Sequence, residues 1–148
     1  MTRNTPEPLT EAKRQRAAER RRLEEADTAK RTEDERQEIQ RMSNERNLFE
    51  RYKELSSYVD GIYDEVSKLS SKRPTDSMSE RMVDRANRAI NALKDLTVNE
   101  KDPFLDEIEE FVPAGDEVEA RDVVLTLRQV KDALSRMRSQ HEDWKFWH

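Results

Sequence analysis

The stretch Leu48-Phe-Glu-Arg-Tyr52-Lys-Glu-Leu55-Ser-Ser-Tyr-Val59-Asp-Gly-Ile62-Tyr-Asp-Glu-Val66-Ser-Lys-Leu69 decides the fold class. Its apolar side chains at 48, 52, 55, 59, 62, 66 and 69 recur in steps of four and three. That is a heptad seam held for three heptads, and it predicts an amphipathic helix that packs in a bundle or pairs with another chain. No proline interrupts the chain from Leu9 to Ser71, and Arg73 precedes Pro74, so this helix is expected to stop near Lys72.

A second stripe, Ala120, Val123, Leu127, Val130, Leu134 and Met137, repeats the same spacing, and His141 and Trp144 extend it. Between the two lie Met78, Met82, Ala86, Ala89, Ile90, Leu93 and Leu96, again on one helical face. Ser77 followed by Glu80 reads as the capping box that starts this helix. Asp102-Pro103 reads as the start of a short helix carrying Phe104, Leu105, Ile108, Phe111 and Val112, ended by Pro113 and Gly115. Asp116 is the expected cap of the last helix. No window alternates as a strand does. The expected fold is all-α: an antiparallel helical bundle of three long helices and one short, preceded by a long charged N-terminal helix.

The apolar residues are unevenly placed. Leu, Ile, Val and Phe number 28 of 148, yet residues 1–44 hold only Leu9, Leu23 and Ile39. The first third therefore cannot bury enough surface to offset its ordering entropy. The expected organisation is a loose tail at 1–8, a charged exposed helical arm at 9–44, a bundle domain at 45–143 and an aromatic tail at 144–148. Charge is uneven too. Residues 99–122 carry 2 basic and 10 acidic groups, a net of −8, which exceeds the −5 of the whole chain.

Composition excludes several chemistries. With no cysteine there is no disulfide, thiolate metal site or cysteine nucleophile, and two histidines make no histidine-rich metal site. Two glycines cannot supply a phosphate-cradling glycine loop. No apolar run approaches the roughly 20 residues of a membrane span, and no signal-peptide apolar region follows the N-terminus. The expectation is a soluble, cytoplasmic protein with no membrane contact, no metal and no cofactor.

Four constellations are candidates for function. Arg136-Met-Arg-Ser-Gln-His141 resembles the R-x4-H motif of the HEPN ribonucleases, an all-helical and often dimeric family. The resemblance implies an Arg136 that binds phosphate and a His141 that assists transesterification of RNA. The pairs Glu107/Glu110 and Glu119/Asp122 resemble the E-x-x-E and E-x-x-D magnesium pairs of the all-helical nucleotide pyrophosphatases related to MazG. Lys13, Arg14, Arg16, Arg20, Arg21 and Arg22 give residues 9–22 a charge of about +4, enough to hold nucleic-acid phosphates without reading sequence. The last, Trp144-Lys-Phe146-Trp147, gathers three of the chain's nine aromatic rings.

The seams carry the functional expectation. A non-enzymatic interaction or structural protein, a subunit of a larger assembly, would meet a protein partner or a second copy through Leu48, Tyr52, Leu55, Val59, Ile62, Trp144 and Trp147. The arm would serve as spacer or docking element. The alternatives are nucleic-acid binding through residues 9–22 and, behind it, a ribonuclease using Arg136 and His141.

Overall fold

A computed structural model describes residues 7–112 and 117–148. The regular elements of the described residues are helices, with α1 at Glu7–Lys72, α2 at Glu80–Leu96 and α3 at Ala120–Gln140. Two single 3-10 segments complete them, Leu105–Glu107 and Glu142–Phe146. No helix among the described residues is long and apolar enough to cross a membrane. The chain forms two compact units, the first ending at Glu45 and the second spanning Arg46–His148.

In the first unit, residues 10–44 are helical and exposed, Ala12 alone being half-covered. Straight-chain residues and alanine dominate, so little side-chain freedom is lost on coiling. The expected loose tail at 1–8 falls mostly outside the described residues, and α1 has begun by Glu7.

In the second unit three helices pack around one core. Tyr52, Leu55, Val59, Ile62 and Val66 come from α1, Ala86, Ala89, Ile90 and Leu93 from α2, and Val123, Leu127, Val130, Leu134 and Met137 from α3. The α1 seam is shorter than the heptad count suggests, because Leu69 is substantially exposed and Leu48 only half-buried. Phe49, one position off the seam, is buried instead. Polar staples flank the core. Arg128 donates to the Tyr63 hydroxyl at 3.1 Å, and Lys131 pairs with Asp60 at 3.3 Å. The Arg128 guanidinium holds the Tyr63 phenol below the usual tyrosine range.

Two expected helix starts move, both because residues 74–77 meet residues 119–121. α2 is capped by Ser79, whose hydroxyl accepts from the Met82 amide at 3.2 Å. Ser77 forms a β-bridge with Glu119, so the Ser77/Glu80 capping box does not form. That bridge also explains how α3 begins. Its N-cap Glu119 makes no side-chain cap; the amides of Ala120 and Arg121 donate to the carbonyls of Asp76 and Pro74 at 2.9 and 3.1 Å. Backbone from the α1–α2 connection thus satisfies amides that a helix N-terminus leaves open. The expected cap Asp116, and the stop at Pro113 and Gly115, lie outside the described residues.

The short helix expected from Pro103 to Val112 is reduced to the 3-10 turn Leu105–Glu107. Asp102 does accept from the Phe104 amide at 3.0 Å, but Ile108 is already extended. Asp106, Glu107, Glu109 and Glu110 would stack like charges one turn apart in a helix. The extended path instead buries Ile108 and half-buries Phe111, while Phe104 and Val112 stay exposed. α3 likewise ends at Gln140, and His141 leaves it with ψ 96°. Trp144 reaches the core through the 3-10 turn that follows, rather than along a continued helix.

Gly61 is the one helical glycine among the described residues, and a Cβ built there meets nothing within 4 Å. Gly61→Ala is expected to raise stability by ~0.5–1 kcal/mol, by removing the entropy glycine loses on coiling. Leu127→Ala, which opens a cavity in the core, is expected to lower it by roughly 2–5 kcal/mol. Urea midpoints of the two variants against the parent check both signs.

Candidate functional site

Phe49, Tyr52, Trp144 and Trp147, far apart in the sequence, meet in one cluster of the second unit. Trp144, with no exposed surface, packs on Phe49 at 5.4 Å, Tyr52 at 5.1 Å and His141 at 4.2 Å between ring centroids. Trp147 meets Phe49 edge-on at 5.5 Å, and the Arg46 guanidinium lies 5.1 Å from its ring centroid. The sequence suggests that Trp147 lies beyond the cover of the bundle; it is half-buried, and Phe146 is the ring left out, 73% exposed. The 3-10 turn decides this, since its tighter pitch sends residues 144 and 147 to the same side.

Beside this stack the loop after α2 is tied to the end of α3 by two side-chain contacts to carboxylates. His141 Nε2 stands 2.6 Å from a Glu100 carboxylate oxygen, and Arg136 Nε donates to Asp102 at 2.8 Å. The Arg136 guanidinium also covers the Phe104 ring at 5.1 Å. Arg136 and His141, grouped by the R-x4-H spacing, are each therefore matched to a separate carboxylate. A small hollow of about 120 Å³ opens beside Arg136, between Phe104, Ile108, Gln129 and Asp132, and His141 does not line it. Neither Glu100 nor Asp102 stood out in the sequence, because nothing in their spacing announces residues 136 and 141 as partners.

The carboxylate pairs do not assemble. Glu107 closes the 3-10 turn and Glu110 lies in extended chain, so the two do not share a helix face. Glu119 is engaged by Arg121 at 2.6 Å. Among the described residues no group of three or more His, Asp or Glu is placed to hold a metal ion. What orders this acidic segment is a side chain the sequence does not signal. The Asn87 amide donates to the Phe111 carbonyl at 2.9 Å and accepts from the Phe111 amide at 2.8 Å, copying the pairing of a neighbouring strand.

Of the residues expected to face a partner, Tyr52, Leu55, Val59, Ile62 and Trp144 are buried in the chain's own core. Leu48 and Trp147 are half-buried and keep surface to offer. Two shallow open hollows, of about 470 and 490 Å³, adjoin along α1 and α2 and share Tyr58 and Arg88. Their walls mix arginines with carboxylates. In the first unit, Lys13, Arg14, Arg16, Arg20, Arg21 and Arg22 are all exposed on α1. Compared with known families, curated proteins and solved structures, the chain shows no match.

Asn87→Ala removes both hydrogen bonds to Phe111 and leaves partly buried backbone groups open, a cost of about 1–3 kcal/mol. Amide exchange at Phe111 and its neighbours is expected to accelerate well before exchange in α3 changes. Equal acceleration throughout the second unit would show that the clip does not act locally.

Proposed function

We propose that this chain is a non-enzymatic, cytoplasmic interaction protein, a subunit of a larger assembly, whose antiparallel helical bundle meets a protein partner or a second copy through the surface left outside its own seams. The observation that carries the reading is Phe146, exposed on the 3-10 turn whose Trp144 and Trp147 are anchored among the rings of Phe49, Tyr52 and His141. An aromatic side chain held out on an ordered base loses little entropy when covered, which is why such rings concentrate binding energy. Two further features support it. The apolar seams are already used inside the unit, so binding falls to the surface. His141 and Arg136 each face a different carboxylate, so the two side chains do not converge on one site.

Light scattering on the full chain over a concentration series tests this reading. Self-association is expected, and Phe146→Ser is expected to weaken it by at least about tenfold, or ~1.4 kcal/mol, with the melting temperature unchanged. A chain that stays monomeric at every concentration and binds no co-purifying protein would overturn it.

A second reading, nucleic-acid binding by the arm, is favoured by one observation. Among the described residues, none of the six cations from Lys13 to Arg22 makes an ion pair. Lys13, Arg16 and Arg20 share a helical face and can neutralise phosphates together. On this reading, the triple change of these three to Ala flattens the salt dependence of duplex DNA affinity by roughly 3 in log–log slope. An unchanged slope, or no salt-dependent gel shift in the parent, would remove it.

A further inference from the structure

The first unit poses a physical problem. Residues 10–44 are helical, yet no other part of the described unit covers them. Short helices of natural composition are marginal in water, because nucleation costs more than the first hydrogen bonds return. Most surface helices are held by an apolar face packed on a core. This one has no such face. Leu23 is 65% and Ile39 70% exposed. Their separation of sixteen positions places the two about 160° apart around the helix, at 100° per residue. A coiled-coil strand needs its apolar residues on one seam, so the arm lacks the means to pair with a copy of itself.

A helix that is polar all round persists when opposite charges one turn apart hold it. Residues 20–41 are built that way. Arg20 and Glu24, Asp27 and Arg31, and Lys30 and Asp34 stand at i, i+4 with opposite sign. At Glu38 and Arg41 the contact is closed at 2.8 Å, and the guanidinium holds the Glu38 carboxyl below the usual range. Exposed pairs of this kind exchange partners freely, and their attraction needs no single fixed geometry. Thr28 and Thr32 return their hydroxyls to the carbonyls one turn back, at 2.8 and 3.0 Å, so these β-branched residues keep their polar groups on the helix.

We infer that residues 10–44 are a self-supporting single α-helix, a stiff spacer held by charge order over residues 20–41, rather than half of a coiled coil. This inference stands whether or not the aromatic end of the second unit carries a partner. The helix keeps its own two ends apart at low salt, and high salt softens it because screening weakens every rung at once.

The chain has no cysteine, so labels can be placed without background. Spin labels at Ala17→Cys and Ser43→Cys, both exposed sites in the first unit, read the length directly by pulsed electron resonance on the full chain. Labelled protein is diluted into unlabelled protein, and sedimentation establishes the concentration at which the chain is monomeric. A helix places the two backbone sites about 39 Å apart at 1.5 Å per residue. A flexible chain of the same length gives a broad distribution near roughly 28 Å. A single narrow distribution near the helical value is expected for the monomer. It should broaden and shorten in 1 M salt, where the screening length falls to about 3 Å. The same loss is expected in a variant that keeps the composition of residues 20–41 but permutes their order so that like charges stand at i, i+4. A broad distribution in the monomer overturns the inference, as does a narrow one that appears only on oligomerisation. A narrow distribution indifferent to both salt and permutation removes charge order as its cause.

Discussion

The second unit depends on the burial of three apolar stripes against one another. Val59 and Ile62 on α1, Ile90 and Leu93 on α2, and Val123 and Leu127 on α3 are all fully buried in one cluster. The best-buried of the large apolar residues are committed to this core, while Leu69, Val98, Val112 and Leu125 stay exposed. The consequence reaches function, because a seam that packs within the chain is no longer a surface for another molecule. What remains outside is mostly polar or charged, with apolar and aromatic side chains exposed singly, and recognition has to be built from those.

Polar contacts then shape what the core leaves open. Backbone carbonyls of Pro74 and Asp76 close the amides at the start of α3, and the Asn87 side chain holds Phe111 as a strand would. The Glu100–His141 and Asp102–Arg136 pairs fasten the loop after α2 to the end of α3. Each satisfies groups that would be costly to leave unpaired at a partly buried position. Together they place Trp144 over Phe49 and Tyr52 and leave Phe146 outside, which is the arrangement the proposed interaction uses. The first unit follows a different rule, in which order comes from attraction between neighbours along one helix instead of burial.

The sites were less legible than the helices. The spacing of Arg136 and His141 suggested one joint chemistry, but residues five apart on a helix that ends between them follow separate loop partners. Leu105, Ile108 and Phe111 keep a spacing of three that suits a helix, yet the like charges around them and the pull of Asn87 draw the chain out straight. Phe49 went unnoticed beside Leu48, because a seam counted in fours and threes passes through one of two adjacent apolar residues and cannot say which turns inward. Ser77 and Ser79 are both plausible caps, and the bridge to Glu119, forty-two residues on, removes Ser77 from the choice.

By itself the sequence determined the three amphipathic helices, the end of α1 before Pro74 and the poverty of apolar residues in the first forty-four positions. These follow from periodicity, proline and composition, which act over a turn or two of chain. Only the tertiary structure decided which residues close the helix ends, which carboxylate each of Arg136 and His141 meets, and whether Phe146 or Trp147 stays outside. Those outcomes rest on contacts between residues distant in the chain, whose energies depend on how the helices pack, and no local pattern encodes them.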